Sequence, residues 1–169
     1  MAKLRPGRYV FLISMVVFFS GCGYKFITGA DRKIFIHPIV NCSTQPLADI
    51  YLDRAVRKIF VENAGFSILN SETAADYVLH LSIRKWERTP LLFPVDNPKE
   101  IVVAKFYIEA EISASKNSEN LFVDKVSETF DESLYTEYNE DEVLEKISEK
   151  LARKIYFKLI QENEKTGSR

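Results

Sequence analysis

Cysteine is scarce in this sequence, two residues in 169, which excludes a disulfide scaffold and a four-cysteine zinc site. Six glycines and six prolines are too few for a low-complexity or collagen-like chain. An excess of one charge is missing too. Twenty-three Lys and Arg face 24 Asp and Glu, a net −1, so neither a polybasic nucleic-acid surface nor an acidic tail dominates. No apolar run reaches the about 20 residues that a spanning helix needs. No Walker A, GxGxxG, GxSxG, HExxH or CxxC motif occurs, which removes the usual signatures of nucleotide, hydrolase and zinc chemistry. What remains is 46% hydrophobic and 28% charged, the mix of one folded domain.

The first residues differ from the rest. Lys3, Arg5 and Arg8 precede an apolar run from Tyr9 to Phe19 that only Ser14 interrupts, the pattern of a secretory signal. Phe19-Ser20-Gly21-Cys22 then sets small residues before a cysteine and resembles the lipobox of bacterial lipoproteins. It predicts removal of residues 1–21, a diacylglyceryl group on the Cys22 thiol and acylation of the new amino terminus. Gly23 stands where Asp would favour the inner membrane, so the outer membrane is the predicted address. Removing three positive and no negative charges takes the chain from −1 to −4. A eukaryotic-type signal with an incidental cysteine, or a buried core strand, is the alternative. Cys42 reads as a bland, partly buried residue.

Beyond the signal, residues 22–32 read as an acylated tether, 33–163 as a single α+β domain and 164–169 as a polar tail. Lys33 to Val40 is β-rich, with Pro38 suited to a strand end. Pro46 fits a helix first turn, and Leu52, Ala55, Val56, Ile59 and Phe60 form one buried helical stripe ending at Gly65. Phe66–Leu69 and Tyr77–Trp86 read as strands, and 88–100, with three prolines, as a loop. Val102, Ala104, Phe106, Ile108, Ala110, Ile112 and Ala114 alternate with Lys105, Glu109, Glu111 and Ser113, a strand with one apolar face. Lys116–Asn120 is a turn, and Leu121–Leu134 a return strand with weaker alternation. Asn139 caps a second helix whose stripe is Leu144, Ile147, Leu151, Ile155 and Leu159. The economical architecture is a two-layer α+β sandwich, two amphipathic helices on one face of a four-stranded antiparallel or mixed sheet.

Candidate chemistry is sparse. His37 with Cys42 is conceivable as a nucleophile pair, but no orienting residue is visible, and His80 reads as a strand-face residue. Glu109 and Glu111 share a strand face within roughly 7 Å, a spacing that a solvated sheet face also produces. Arg84, Lys85 and Arg88 flank Trp86, which an exported, acidic chain does not turn into a nucleic-acid platform. The expectation is a non-enzyme without metal or cofactor.

Gly21-Cys22-Gly23-Tyr24-Lys25-Phe26, a β-run ending at Asn41, a helix containing Arg54-Ala55-Val56-Arg57, then Ala75-Asp76-Tyr77-Val78-Leu79 and Leu151-Ala152 in the last helix together resemble the lipopolysaccharide-assembly lipoprotein family, LptE (RlpB). The resemblance spans nearly all of the chain after Cys22. It implies two helices on a four-stranded sheet, and a lipoprotein that plugs the outer-membrane barrel LptD and takes part in lipopolysaccharide transport without catalysing a reaction. It also implies a lipopolysaccharide contact at Lys99, with Arg88 at the other end of the same loop. Lys105, Glu109 and Glu111 are the candidate barrel-facing residues, since a plug meets a polar lumen. An activator of a cell-wall synthase or a pilot of a secretion complex would share the anchor and sheet, and stays open as the alternative.

Overall fold

The computed structural model describes residues 32–63, 65–94, 101–134 and 139–167. Cys22, the signal and most of the tether, together with Lys99, lie outside the described residues. In chain order the elements are β1 (Arg32–Ile36), β2 (Val40–Asn41), α1 (Ala48–Glu62), β3 (Phe66–Leu69), a 3₁₀ turn (Glu72–Ala74), β4 (Tyr77–Leu92), β5 (Val103–Lys116), β6 (Glu119–Ser133) and α2 (Glu140–Gly167).

The strands form one mixed sheet in the order β3-β1-β4-β5-β6, with β2 continuing alongside β4. β1 runs parallel to both β3 and β4, while β4, β5 and β6 are antiparallel. The count is six strands where four were expected. Pro38 has no amide hydrogen to give a ladder, and it splits the expected 33–40 strand into β1 and β2. The short β3, already read as a strand from the sequence, forms one edge.

Strand parity follows the alternation in the sequence. Ala104, Phe106, Ile108, Ala110, Ile112 and Ala114 are all buried, as are Tyr77, Leu79, Leu81 and Ile83 of β4. A bulge between Ile83 and Lys85 then shifts the register, so that Trp86 stands opposite Ile108 on the same inner side. The helices cover this face with the expected stripes: Leu52, Val56, Ile59 and Phe60 of α1, and Leu144, Ile147, Leu151, Ile155 and Leu159 of α2, are at most 1% exposed. Gln45 bonds Glu140, Lys58 bonds Glu149, and the Tyr156 hydroxyl donates to the Asn63 carbonyl. The two helices therefore run side by side in one direction.

Several boundaries differ from the sequence reading. α1 begins at Ala48, after Leu47 at φ 63°, so Pro46 sits in the turn before the helix. The α1 terminus is held by Asn63, whose amide and side chain both donate to the Ile59 carbonyl. Gly65 serves a close approach instead: a Cβ there would stand 2.7 Å from the Tyr156 hydroxyl. The β5–β6 turn is only Asn117 and Ser118, both at positive φ, as a two-residue hairpin requires. Asn139 does cap α2, accepting the Asp141 amide at 3.0 Å. That helix continues to Gly167 through most of the expected polar tail. The buried Asn163 accepts from Tyr77 at 2.6 Å and Lys116 at 3.0 Å, pinning the last turns to the sheet.

Candidate functional site

The sheet face turned away from the helices gathers the polar residues of β4, β5 and β6. Alternation places Lys105, Tyr107, Glu109, Glu111 and Ser113 on it, all partly exposed. Arg84 Nε meets Glu111 at 3.1 Å, and Lys125 Nζ meets Glu109 at 3.3 Å. The Tyr107 hydroxyl donates to the other Glu109 oxygen at 2.9 Å. Lys85 lies 5.6 Å over the Tyr107 ring and pairs with Glu87 at 2.8 Å. The Tyr107 hydrogen bond, then Lys125, hold the Glu109 carboxyl below its ordinary range. That is opposite to a general acid, which keeps its proton near neutrality. Each carboxylate has its own cation, and the face is a network of alternating charges. Lys105 stands in register between Thr89 and Asp131.

The two histidines come together at one end of this face. Their rings stack at 3.9 Å with an interplanar angle of 17°. The parallel pairing of β1 with β4 does this, placing Ile36 beside Leu79 and bonding the His37 amide to the Leu79 carbonyl. Glu72 approaches His37 Nε2 to 3.2 Å without hydrogen-bond alignment, and that nitrogen is otherwise buried and unpartnered among the described residues. Burial, then the neighbouring His37, pushes the His80 imidazole down from its ordinary value. Cys42 is exposed, contrary to the partly buried expectation, because it follows the last residue of the edge-like β2. Its sulfur lies 3.7 Å from Ser82 Oγ and 3.8 Å from Arg84 Nη1. The imagined His37–Cys42 pair is thus divided between two sets of neighbours. No group of three His, Cys, Asp or Glu among the described residues is arranged to hold a metal ion.

Arg88 is not in a loop. β4 runs on to Leu92, and Arg88 stands opposite Phe106 with its guanidinium 5.8 Å over that ring. The three-proline segment read as irregular because Pro90 breaks strand patterns, yet a register shift between Pro90 and Leu92 accommodates it. Leu91, Leu92 and Phe93 are exposed at this end of the hairpin. Trp86 is half-buried beside Phe106 at 5.9 Å, so it is part of the packing and not an open stacking platform.

One feature escaped the sequence reading. Lys146, Lys150, Lys154 and Lys158 recur every four residues along α2 and overhang the edge strand β6. Lys146 meets Glu132 at 3.5 Å, Lys154 meets Glu128 at 2.7 Å and Lys158 meets Asp124 at 2.6 Å. Lys150 lies 4.7 Å over the Phe130 ring. The weak alternation of β6 has its cause here, since inner-face positions under the helix rim are acidic where a central strand would be apolar. Lysines at i, i+4, i+8, i+12 matched with acids every fourth strand residue were the available signal.

No family model matches the chain, and no curated protein matches it. Solved structures do. Rare lipoprotein B from Shewanella oneidensis superposes with a TM-score of 0.54 at 15% identity, over 76% of this chain and 98% of that one. A hypothetical protein from Chlamydia trachomatis gives 0.56 at 7% identity, over 76% and 95%. Lipoprotein B from Nitrosomonas europaea gives 0.52 at 9% identity, over 73% and 79%. At these identities the likeness is one of fold: this chain carries an α+β architecture that solved lipoproteins share.

Proposed function

We propose that this chain is an outer-membrane lipoprotein of the LptE kind, which plugs and assists assembly of the LptD barrel and takes part in moving lipopolysaccharide to the outer leaflet, catalysing no reaction itself. The observation that carries this reading is the coincidence of two independent features. One is the lipobox-like Phe19-Ser20-Gly21-Cys22, and the other is a fold in common with rare lipoprotein B over 76% of the chain. Cys22 is the lipid attachment residue. Several acyl chains there bury dozens of methylenes at about 0.8 kcal/mol each, well beyond the marginal hold of one chain.

The charge-alternating outer face supports the barrel role. A lumen is lined by polar residues, and Lys105, Glu109 and Glu111 offer both charges to it. The exposed Leu91, Leu92 and Phe93, with Arg88 close by and Lys99 farther along the chain, supply the apolar and cationic groups that a phosphorylated glycolipid requires.

Co-purification from detergent-extracted outer membranes tests the reading. Recovery of a barrel of high mass supports it, and recovery of a cell-wall synthase or a secretion complex in its place refutes it in favour of those roles. Reversing Glu109 and Glu111 together should lower barrel recovery while the isolated protein stays folded. Arg88→Glu with Lys99→Glu should weaken lipopolysaccharide binding several-fold without loosening the barrel.

A further inference from the structure

The His37–His80 stack lies on the same outer face as Glu111. His37, Pro38, Val40, His80, Ser82 and Glu111 surround a shallow hollow of about 220 Å³. Two imidazoles at 3.9 Å resist carrying charge together, because like charges at contact distance disfavour one another's protonated form. Paired groups of this kind titrate as a unit, in two separated steps.

The surroundings determine where the first charge rests. Glu72, on the 3₁₀ turn, stands 3.2 Å from His37 Nε2, a buried nitrogen with no hydrogen-bond partner among the described residues. From β5, Glu111 borders the hollow, but Arg84 already engages it at 3.1 Å. From α1, Arg57 donates to the Ile36 carbonyl next to His37 at 3.2 Å, setting a positive group nearby. The Phe35 ring meets His37 edge-on at 4.8 Å. Within this set, Glu72 is the carboxylate in direct reach of the pair.

We propose that His37 and His80 form a one-proton pair that regulates the outer face: the stacked rings share room for one charge, and a second, taken up at lower pH, parts the rings and loosens residues 37–40 from β4. Ile39 anchors this connection in the core, so what loosens is its backbone pairing. The connection is tied to β4 by the His37 amide on Leu79, the Cys42 amide on Ile83 and the two-residue ladder of β2. The bearing on docking rests on the function proposed above, whereas the pair itself does not.

The test follows both imidazoles by nuclear magnetic resonance in the full chain, held in detergent micelles. The His80 midpoint is expected below 6.5, its ordinary value, and should rise toward it in His37→Gln, stopping short because burial remains. At one pH below the His80 midpoint, the His37 amide should exchange several-fold faster in the wild type than in His80→Gln. A His80 midpoint unmoved by His37→Gln, or equal amide exchange in wild type and His80→Gln, overturns the pair. Barrel recovery should fall below the midpoint in the wild type and hold in His80→Gln, and equal recovery overturns the regulation. A complex absent at every pH overturns the docking function and leaves the titration of the pair standing.

Discussion

Lys154 reaches from α2 to two groups on β6 at once, the Glu128 carboxylate at 2.7 Å and the Ser127 carbonyl at 2.8 Å. The second contact matters because β6 is the edge of the sheet, and open backbone groups on an edge strand invite pairing with another chain. Asp124 acts in the same way, accepting the Lys125 amide at 2.7 Å. Two backbone groups along β6 are therefore occupied by side chains.

Lys154→Ala should accordingly cost little stability, at most about 1 kcal/mol for an exposed pair, yet promote self-association. Light scattering across a concentration series reads this. A variant as monodisperse as the wild type would show that the edge is guarded by other means.

The two faces of β5 predict opposite outcomes for neighbours. Phe106→Ala, at a fully buried position beside Trp86, should lose about 3–5 kcal/mol. Lys105→Ala, on the outer face, should be close to silent. Chemical denaturation of both variants checks this, and equal losses would refute the sheet parity.

Ser148 is fully buried on α2, and its hydroxyl has no hydrogen-bond partner among the described residues. An orphaned polar group of this kind costs about 1–3 kcal/mol. Ser148→Ala removes it without changing the packing much, and should raise the unfolding midpoint in urea. A lowered midpoint would mean that the hydroxyl has a partner in solution.

Acid should act in two stages. The His80 imidazole is pushed down by burial and by His37, so below 6.5 the unfolded chain takes a proton that the folded chain refuses, and stability begins to fall. The Asp124 carboxyl is lowered by Lys158, and that of Glu109 by Tyr107 and Lys125. Their contribution is present above the ordinary values of 3.8 and 4.5 and is lost as pH falls from there through the lowered folded values. Urea midpoints measured against pH should show both stages in the wild type and lack the first in His80→Gln.

The parts of this fold that were legible in the sequence are those set by local period. The even positions of β5 and the stripes of both helices need only neighbours two, three or four residues away. What escaped depends on pairings across the chain. Pro90 reads as loop because its tolerance comes from a bulge against β5, and the buried contact of Asn163 with Tyr77 spans 86 positions. His37 and His80 look unrelated until the parallel register of β1 and β4 stacks them. The candidate docking face was legible as a row of charges, whereas its network of partners was not.

β1 lies between β3 and β4 with both neighbours parallel to it, and the chain preceding Arg32 leads directly into it. A pull directed along β1 is met by a strand paired on both sides. The hydrogen bonds of parallel pairs are evenly spaced along the strand, so the ladders on both sides share the load in shear and do not open one bond at a time. An edge strand, or a hairpin pulled from its open end, would peel. Tension transmitted through β1 thus enters the domain at a strand paired on both sides.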